Sequence, residues 1–323
     1  MALPVFVIGR NRSGTTWLAN QLCEHPRIAG VQHERHHAIH ESAYFGWIDG
    51  RYGDLSERVN HAEFVEVMAA SDFFRLAGAT KEFLYSLWPT TYEGVFRAVM
   101  DRFAQERGAD AWVEKAGVQE EVMHKVAACY PDARVVAIVR EVEANVASAV
   151  ANPRALESYR WRWLAVARAA CGWVYHRKAV CAFARRHPDR VHVVYYEQMK
   201  SDLAGTMRGI LAFLGLEWDD RVLGQTYKPN STFKDEKARR QALASGERKL
   251  VRFIAALARL VPRGVLGLPD RMRHRRHPKQ LPIWFFRLQP FFKDDPRQYD
   301  ALYGHTGMAD LSANRPPSSD ALT

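Results

Sequence analysis

The apolar run at 3–8 (LPVFVI) leads straight into Gly9-Arg10-Asn11-Arg12-Ser13-Gly14-Thr15-Thr16. This junction constrains the fold more than any other part of the chain. An unbroken apolar run rich in β-branched and aromatic residues suits a strand buried on both faces, as in a parallel sheet. Residues 15–23 read as a helix that stops before the His25-Pro26 break. Strand, glycine-containing loop and helix, in that order, aim backbone N–H groups and a positive helix end at one point, where an anion is stabilised. The spacing is GxxxxG followed by two hydroxyl residues. It is not a Walker A loop, because Thr15 stands where that motif has its lysine. Positive charge comes instead from Arg12, inside the loop.

The rest of the chain repeats the alternation. Strands are expected at 111–113, ending at Glu114 and Lys115, at 134–139 and at 190–195. Helices are expected at 92–105, 118–129, 142–150, 156–186 and 203–214, the last closed by Gly215 as a C-cap. The segment 28–71 is polar, His-rich and poorly periodic, and reads as loops and short helices over one face. The pattern predicts an α/β protein: one P-loop-like three-layer domain, a central parallel sheet flanked by helices, with a helical C-terminal extension. The expected boundaries are 1–245 for the α/β domain, 246–308 for a basic, aromatic-rich helical extension packed on it, and 309–323 for a disordered tail.

The net charge is +10. Such a surface attracts phosphates, nucleic acids, acidic glycans or anionic membranes. No nucleic-acid-binding motif or basic tail accompanies it, so a polyanionic small ligand is favoured over nucleic acid. The cysteines, Cys23, Cys129, Cys171 and Cys181, form no CxxC pair, which fits a reducing compartment. The N-terminus does not read as a signal peptide, and no apolar run approaches the ~20 residues of a membrane span, so a cytoplasmic protein is expected.

FVIGRNRSGTTWL resembles the 5′-phosphosulfate loop of the sulfotransferase superfamily, a basic residue followed by Ser-Gly-Thr-Thr. ARVVAIVREVEANVASAV resembles that family's 3′-phosphate motif, with Arg140 at a strand end and Ser148 eight residues on. Eight residues span a little over two helical turns, so both side chains can share one face. The arginine offers a forked charge and the serine a hydroxyl donor. VHVVYYEQMKSDLAGTMRGILAFLGL resembles a later segment whose tyrosine, here Tyr196, lies near the adenine. Ser231-Thr232-Phe233-Lys234 is similar to a stretch lining the adenine pocket, and Trp17 stands where some members place an aromatic residue against the base. Core packing is the competing reading for Trp17 and Phe233, and a surface charge the competing reading for Arg140. The resemblance runs from about residue 3 to 240.

That resemblance implies a 3′-phosphoadenosine-5′-phosphosulfate (PAPS)-dependent sulfotransferase, with adenosine 3′,5′-bisphosphate (PAP) as product and no metal. It implies donor binding by Arg12, Ser13, Gly14, Thr15, Thr16, Trp17, Arg140, Ser148, Tyr196, Ser231 and Phe233. Catalytic roles fall to Arg12, to Lys115 and to Glu34 as general base, with His33 competing and an ion pair to Arg35 as the bland alternative for Glu34. Phenol-type members carry a His where this chain has Gly117. With the Arg-type loop, this favours the carbohydrate or tyrosyl-protein branch and a glycan or glycolipid hydroxyl as acceptor.

Two alternatives stand beside this reading. His33-Glu34-Arg35-His36-His37 is a formal HExxH, with His40 or Glu41 as a third ligand, and a zinc hydrolase would use it. Its flanks lack the long amphipathic helix that presents such a motif. The other is a nucleotide-phosphate binding protein without transfer activity. In the C-terminal third, the cationic amphipathic 249–260, the Arg/His-dense 271–279 and the aromatic cluster up to 292 suggest peripheral membrane contact or a lipid-linked acceptor. A helix packed on the core with arginines facing water is the plainer reading, and a homodimer interface a third. Trp161, Trp163 and Trp173, placed on the long helix, line an acceptor cleft or pack in the core.

Overall fold

A computed structural model describes residues 1–32, 38–42, 44–115, 120–151, 161–224, 238 and 241–266. The strands are β1 (Leu3–Gly9), β2 (Ile28–Gly30), β3 (Ala111–Lys115), β4 (Arg134–Val139) and β5 (Val191–Tyr195). They form one sheet in the order β2-β3-β1-β4-β5, and every neighbouring pair is parallel. The helices of the first half are α1 (Thr15–Cys23), α2 (Tyr44–Trp47), α3 (Arg58–Ala69), α4 (Asp72–Leu76), α5 (Lys81–Ser86) and α6 (Tyr92–Glu106). Those of the second half are α7 (Glu120–Cys129), α8 (Val142–Val150), α9 (Arg162–Arg186), α10 (Tyr196–Ser201), α11 (Leu203–Leu214), α12 (Ser245–Leu257) and α13 (Arg263–Leu266).

Side chains alternate across the sheet, and both faces are covered. Val5 and Val7 of β1, with Val113, Val136 and Ile138, pack against Leu18 and Leu22 of α1 and Met207, Ile210 and Leu211 of α11. Phe6 and Ile8, with Trp112 and Ala137, pack on the opposite face against Phe96, Val99 and Phe103 of α6 and Val126 of α7. This two-sided burial is why β1 reads as an unbroken apolar run, and each fully buried large side chain contributes about 1.5–3 kcal/mol. A third cluster joins Val146 and Val150 of α8, Val166 and Ala170 of α9, and Val251 of α12.

The expected α/β sandwich is the observed one. Strand β3 runs on through Glu114 and Lys115, and α7 begins at Glu120. Helix α11 is capped at its start by Asp202, whose carboxylate accepts from Gly205 N at 2.8 Å, and at its end by Gly215 with φ 73°, the left-handed cap expected there. The stretch read as loops and short helices holds β2, α2 and α3. Strand β2 is three residues long, too short for periodicity to reveal. Helix α3 buries His61, Phe64, Val65 and Met68, an i, i+3, i+4, i+7 stripe disguised by a histidine in its first position. Trp161 is the residue before α9 rather than part of it. Helix α12 packs its Val251 and Ala255 inward while Phe253 and Leu257 face outward. No described helix is long and apolar enough to cross a membrane. The segments 271–279 and 284–292 and the tail 309–323 lie outside the described residues.

Candidate active site

From β1 the chain passes through α1 to β2 on one side of the sheet. From β4 it passes through α8 and α9 to β5 on the other. The loops after β1 and β4 therefore diverge from adjacent strand ends. A crevice at such a switch point, beyond the C-terminal ends of the strands, is where open parallel sheets bind ligands.

The loop at 10–14 is shaped tightly. Ser13 N donates to Arg10 O at 3.0 Å. Arg12 has φ 73°, a left-handed conformation that costs an L-residue roughly 1–3 kcal/mol and is held only by its surroundings. Gly14 has φ 96°, and a Cβ there would sit 2.6 Å from Tyr196 Cδ2. Gly14 is also the N-cap of α1. It brings no side chain to the helix's first N–H groups, and the first turn holds no acidic residue, so the positive helix end faces the loop.

Residues from distant segments tie this loop down. Arg140 Nη1 donates to Arg12 O at 2.8 Å, and Arg12 Nε donates to Ser148 O at 3.4 Å. Asn145 of α8 donates through Nδ2 to Asn11 O at 3.1 Å and to Ser13 Oγ at 3.0 Å. Behind them, Trp173 Nε1 donates to Arg140 O at 2.8 Å, which fixes α9 to the end of β4. The Arg10 guanidinium lies against Gly172 so closely that a Cβ there would strike it. The Arg140 guanidinium sits 4.2 Å from the centre of the Tyr196 ring, and Trp17 meets that ring edge-on at 5.7 Å. Burial, and then the nearby charge of Arg140, lower the pKa of Arg12. Two guanidinium groups this close to each other favour an anionic group beside them.

Lys115 lies one strand over. Its Nζ donates to Thr16 Oγ1 at 2.9 Å and pairs with Glu41 Oε1 at 3.0 Å. The side chain is buried, so it is not a surface lysine. Its neighbour Glu114 points to the opposite face and is 1% exposed. Glu114 Oε1 accepts from Ser42 Oγ at 2.6 Å and Ser42 N at 3.1 Å. Its Oε2 has no hydrogen-bond partner among the described residues. Burial pushes the Glu114 carboxyl up to about 8, helped by the charge of Glu41 and opposed by Ser42 and Lys115.

Arg12, Ser13, Gly14, Thr15, Thr16, Trp17, Lys115, Arg140 and Tyr196 thus lie together near the C-terminal ends of β1, β3 and β4, joined by Ser148 through its backbone carbonyl. His33, Glu34, Gly117, Ser231 and Phe233 lie outside the described residues, as does the whole HExxH string at 33–37. Of the residues offered as a third zinc ligand, Glu41 pairs with Lys115 and His40 Nδ1 lies 2.9 Å from Glu41 O. Among the described residues no group of three His, Cys, Asp or Glu side chains could hold a metal. Sequence reasoning missed Asn145, Ser42, Glu114 and the pairing of Glu41. The available signals were an asparagine inside an otherwise apolar helix and a glutamate embedded in a buried strand.

An arginine-containing glycine loop before a helix N-terminus, at the switch point of a parallel sheet and tied to an arginine from the adjacent strand end, is an arrangement suited to an anionic ligand. The comparisons agree with it. A family model described as "Sulfotransferase family" matches residues 4–220. The sulfotransferase domain from the curacin biosynthetic pathway superposes with a TM-score of 0.51 at 12% identity, covering 84% of this chain and 98% of that one. The sulfotransferase domain of the Synechococcus PCC 7002 olefin synthase superposes with a TM-score of 0.50 at 15% identity, covering 79% and 94%. No curated protein matches the chain. The chain belongs to the sulfotransferase family.

Proposed function

We propose that the protein transfers a sulfuryl group from PAPS to an acceptor hydroxyl. The observation that carries this reading is the Arg140–Arg12 contact at 2.8 Å across the β1/β4 crevice. It joins a loop suited to a 5′-phosphosulfate to a residue suited to a 3′-phosphate, with the Tyr196 ring beside both. The residues present fit such a ligand. Neighbouring guanidinium groups favour an anionic ligand, and Gly14 leaves its space to the Tyr196 ring, with Ile138 Cδ1 next to it.

In this reading Arg12, the loop N–H groups and the end of α1 hold the 5′ end, while Arg140, Ser148 and Asn145 fix the 3′ end directly or through the loop. Ser231 and Phe233 are proposed at the adenine on the resemblance alone. Sulfuryl transfer needs in-line positioning and charge stabilisation at the leaving oxygen, as phosphoryl transfer does. Lys115, held by Thr16 next to the loop, supplies a cation there. A carboxylate of the segment after β2 takes the acceptor's proton. Glu34 is the residue the resemblance nominates, with His33 as its competitor. Metal is not required for this chemistry when arginine and lysine carry the charge.

A glycan or glycolipid acceptor is favoured by Gly117 and the Arg-type loop. The stacked pair Trp161 and Trp163, 51% and 52% exposed with ring planes 9° apart, offers the flat apolar surface on which sugar rings pack. The exposed Phe253, Leu257 and Leu260 beyond it suit a lipid-linked substrate or a membrane surface. Titration with PAP in a calorimeter tests the reading. The wild type should bind, and Arg12→Ala and Arg140→Ala should each bind about 10- to 100-fold more weakly, as loss of a charged hydrogen-bonding group requires. Wild-type protein giving no heat at millimolar PAP refutes it.

A further inference from the structure

Glu41 sits where an anion-binding site should not want it. Its Oε1 lies 3.0 Å from Lys115 Nζ, and Lys115 reaches Thr16 of the phosphate loop at 2.9 Å. A carboxylate beside this lysine opposes the binding of a sulfonate or phosphate there. The chain nevertheless fixes it there with buried hydrogen bonds on both sides. Ile39 N donates to Asn20 Oδ1 at 2.6 Å, His40 N to Val31 O at 2.8 Å, and Ser42 to the buried Glu114 carboxyl through both N and Oγ. The Glu41 side chain itself is 41% exposed, so a ligand can reach it. Lys115 in this pair is only 7% exposed, so the pair sets a reachable carboxylate on an otherwise buried cation.

We infer that Glu41 is a catalytic residue of the transfer, the carboxylate that accepts the acceptor's proton, aimed by the Ser42–Glu114 anchor. This rests on the proposed sulfotransferase function. The acceptor oxygen bonds to sulfur as its proton passes to Glu41. The bond from sulfur to the 5′-phosphate oxygen breaks, and its electron pair stays on that oxygen, beside Lys115 and the loop. Glu41 then returns the proton to water.

A carboxylate kept for proton transfer at a cost in anion binding leaves a signature that a structural carboxylate does not. Full-length wild type, Glu41→Gln, Glu41→Asp and Glu34→Gln are compared for PAP affinity by calorimetry. Turnover is measured with sulfur-labelled PAPS and a fixed acceptor panel of chitobiose, octyl glucoside, a tyrosine peptide and 4-nitrophenol, with donor hydrolysis as the readout if none is sulfated. Glu41→Gln should lose at least about 100-fold in kcat while binding PAP as tightly as wild type or more tightly, and Glu41→Asp should recover part of the rate. Glu41→Gln keeping its rate within about threefold overturns the inference, as does a fall in PAP affinity matching the fall in rate. A rate lost in Glu34→Gln but kept in Glu41→Gln assigns the base to Glu34. If wild type fails to bind PAP, the proposed function fails first and this inference falls with it.

Discussion

Replacing Glu114 by Gln removes a proton equilibrium from the centre of the protein and leaves the shape of the side chain in place. In the folded protein burial raises this carboxyl from its ordinary 4.5 to about 8. Below about pH 4.5 it is neutral both folded and unfolded and has no effect on stability. Between about 4.5 and 8 the unfolded chain has lost the proton that the folded chain retains, so stability falls by about 1.4 kcal/mol for each pH unit. Above about pH 8 both forms are ionised and the penalty levels off, at a ceiling of about 5 kcal/mol. The amide of Glu114→Gln still offers an oxygen to Ser42 N and Oγ but cannot ionise. Its NH₂ takes the place of Oε2, which has no hydrogen-bond partner among the described residues, at a cost of about 1–3 kcal/mol that does not change with pH. The variant should therefore be less stable than wild type by about 0–2 kcal/mol near about pH 5, and more stable by about 2–4 kcal/mol near about pH 8.5. Urea unfolding of both proteins across that range measures the difference. Parallel stability curves would refute the reasoning, because they would mean that Glu114 ionises as freely in the folded protein as in the unfolded chain.

Three other perturbations follow from the site. Gly14→Ala places a methyl group against the Tyr196 ring at φ 96°, and should lower stability by about 1–3 kcal/mol in thermal unfolding and weaken PAP binding in calorimetry. Asn145→Ala frees Asn11 O and Ser13 Oγ from their shared donor. It should weaken PAP binding about tenfold although the asparagine is assigned to the loop rather than the ligand, which calorimetry reads directly. Dialysis against a chelator should leave PAP binding and transfer unchanged, whereas a zinc site at 33–37 would make activity fall with the zinc content measured by atomic absorption.

The parts of the fold written in consecutive residues are legible in the sequence. The junction of β1, loop and α1 places its whole chemistry within one short string, and Arg140 with Ser148 needs only one strand end and one helix. Strand β2 was hidden because three residues cannot establish a period. Helix α3 was hidden because His61 takes an inward position that a hydropathy pattern assigns to an apolar residue. The supports of the site were illegible for a different reason. Ser42 and Glu114 are separated by 72 positions, and Asn145 and Ser13 by 132, so nothing local marks them as partners. Lys115 illustrates the boundary between the two. Its place at a strand end was readable, but its burial and its grip on Thr16 depend on which strand lies next to β1.

The carbonyl of Arg12 is captured by a side chain from the tip of the neighbouring strand, so the proposed nucleotide clamp is a single mechanical part. Transplanting residues 9–16 alone into another α/β scaffold would give a string that relaxes out of its strained turn. A working graft has to carry an arginine from the adjoining strand and an asparagine from the helix that follows it. If the proposed donor site holds, directed evolution of its preference is best served by varying those distant supports together with the loop.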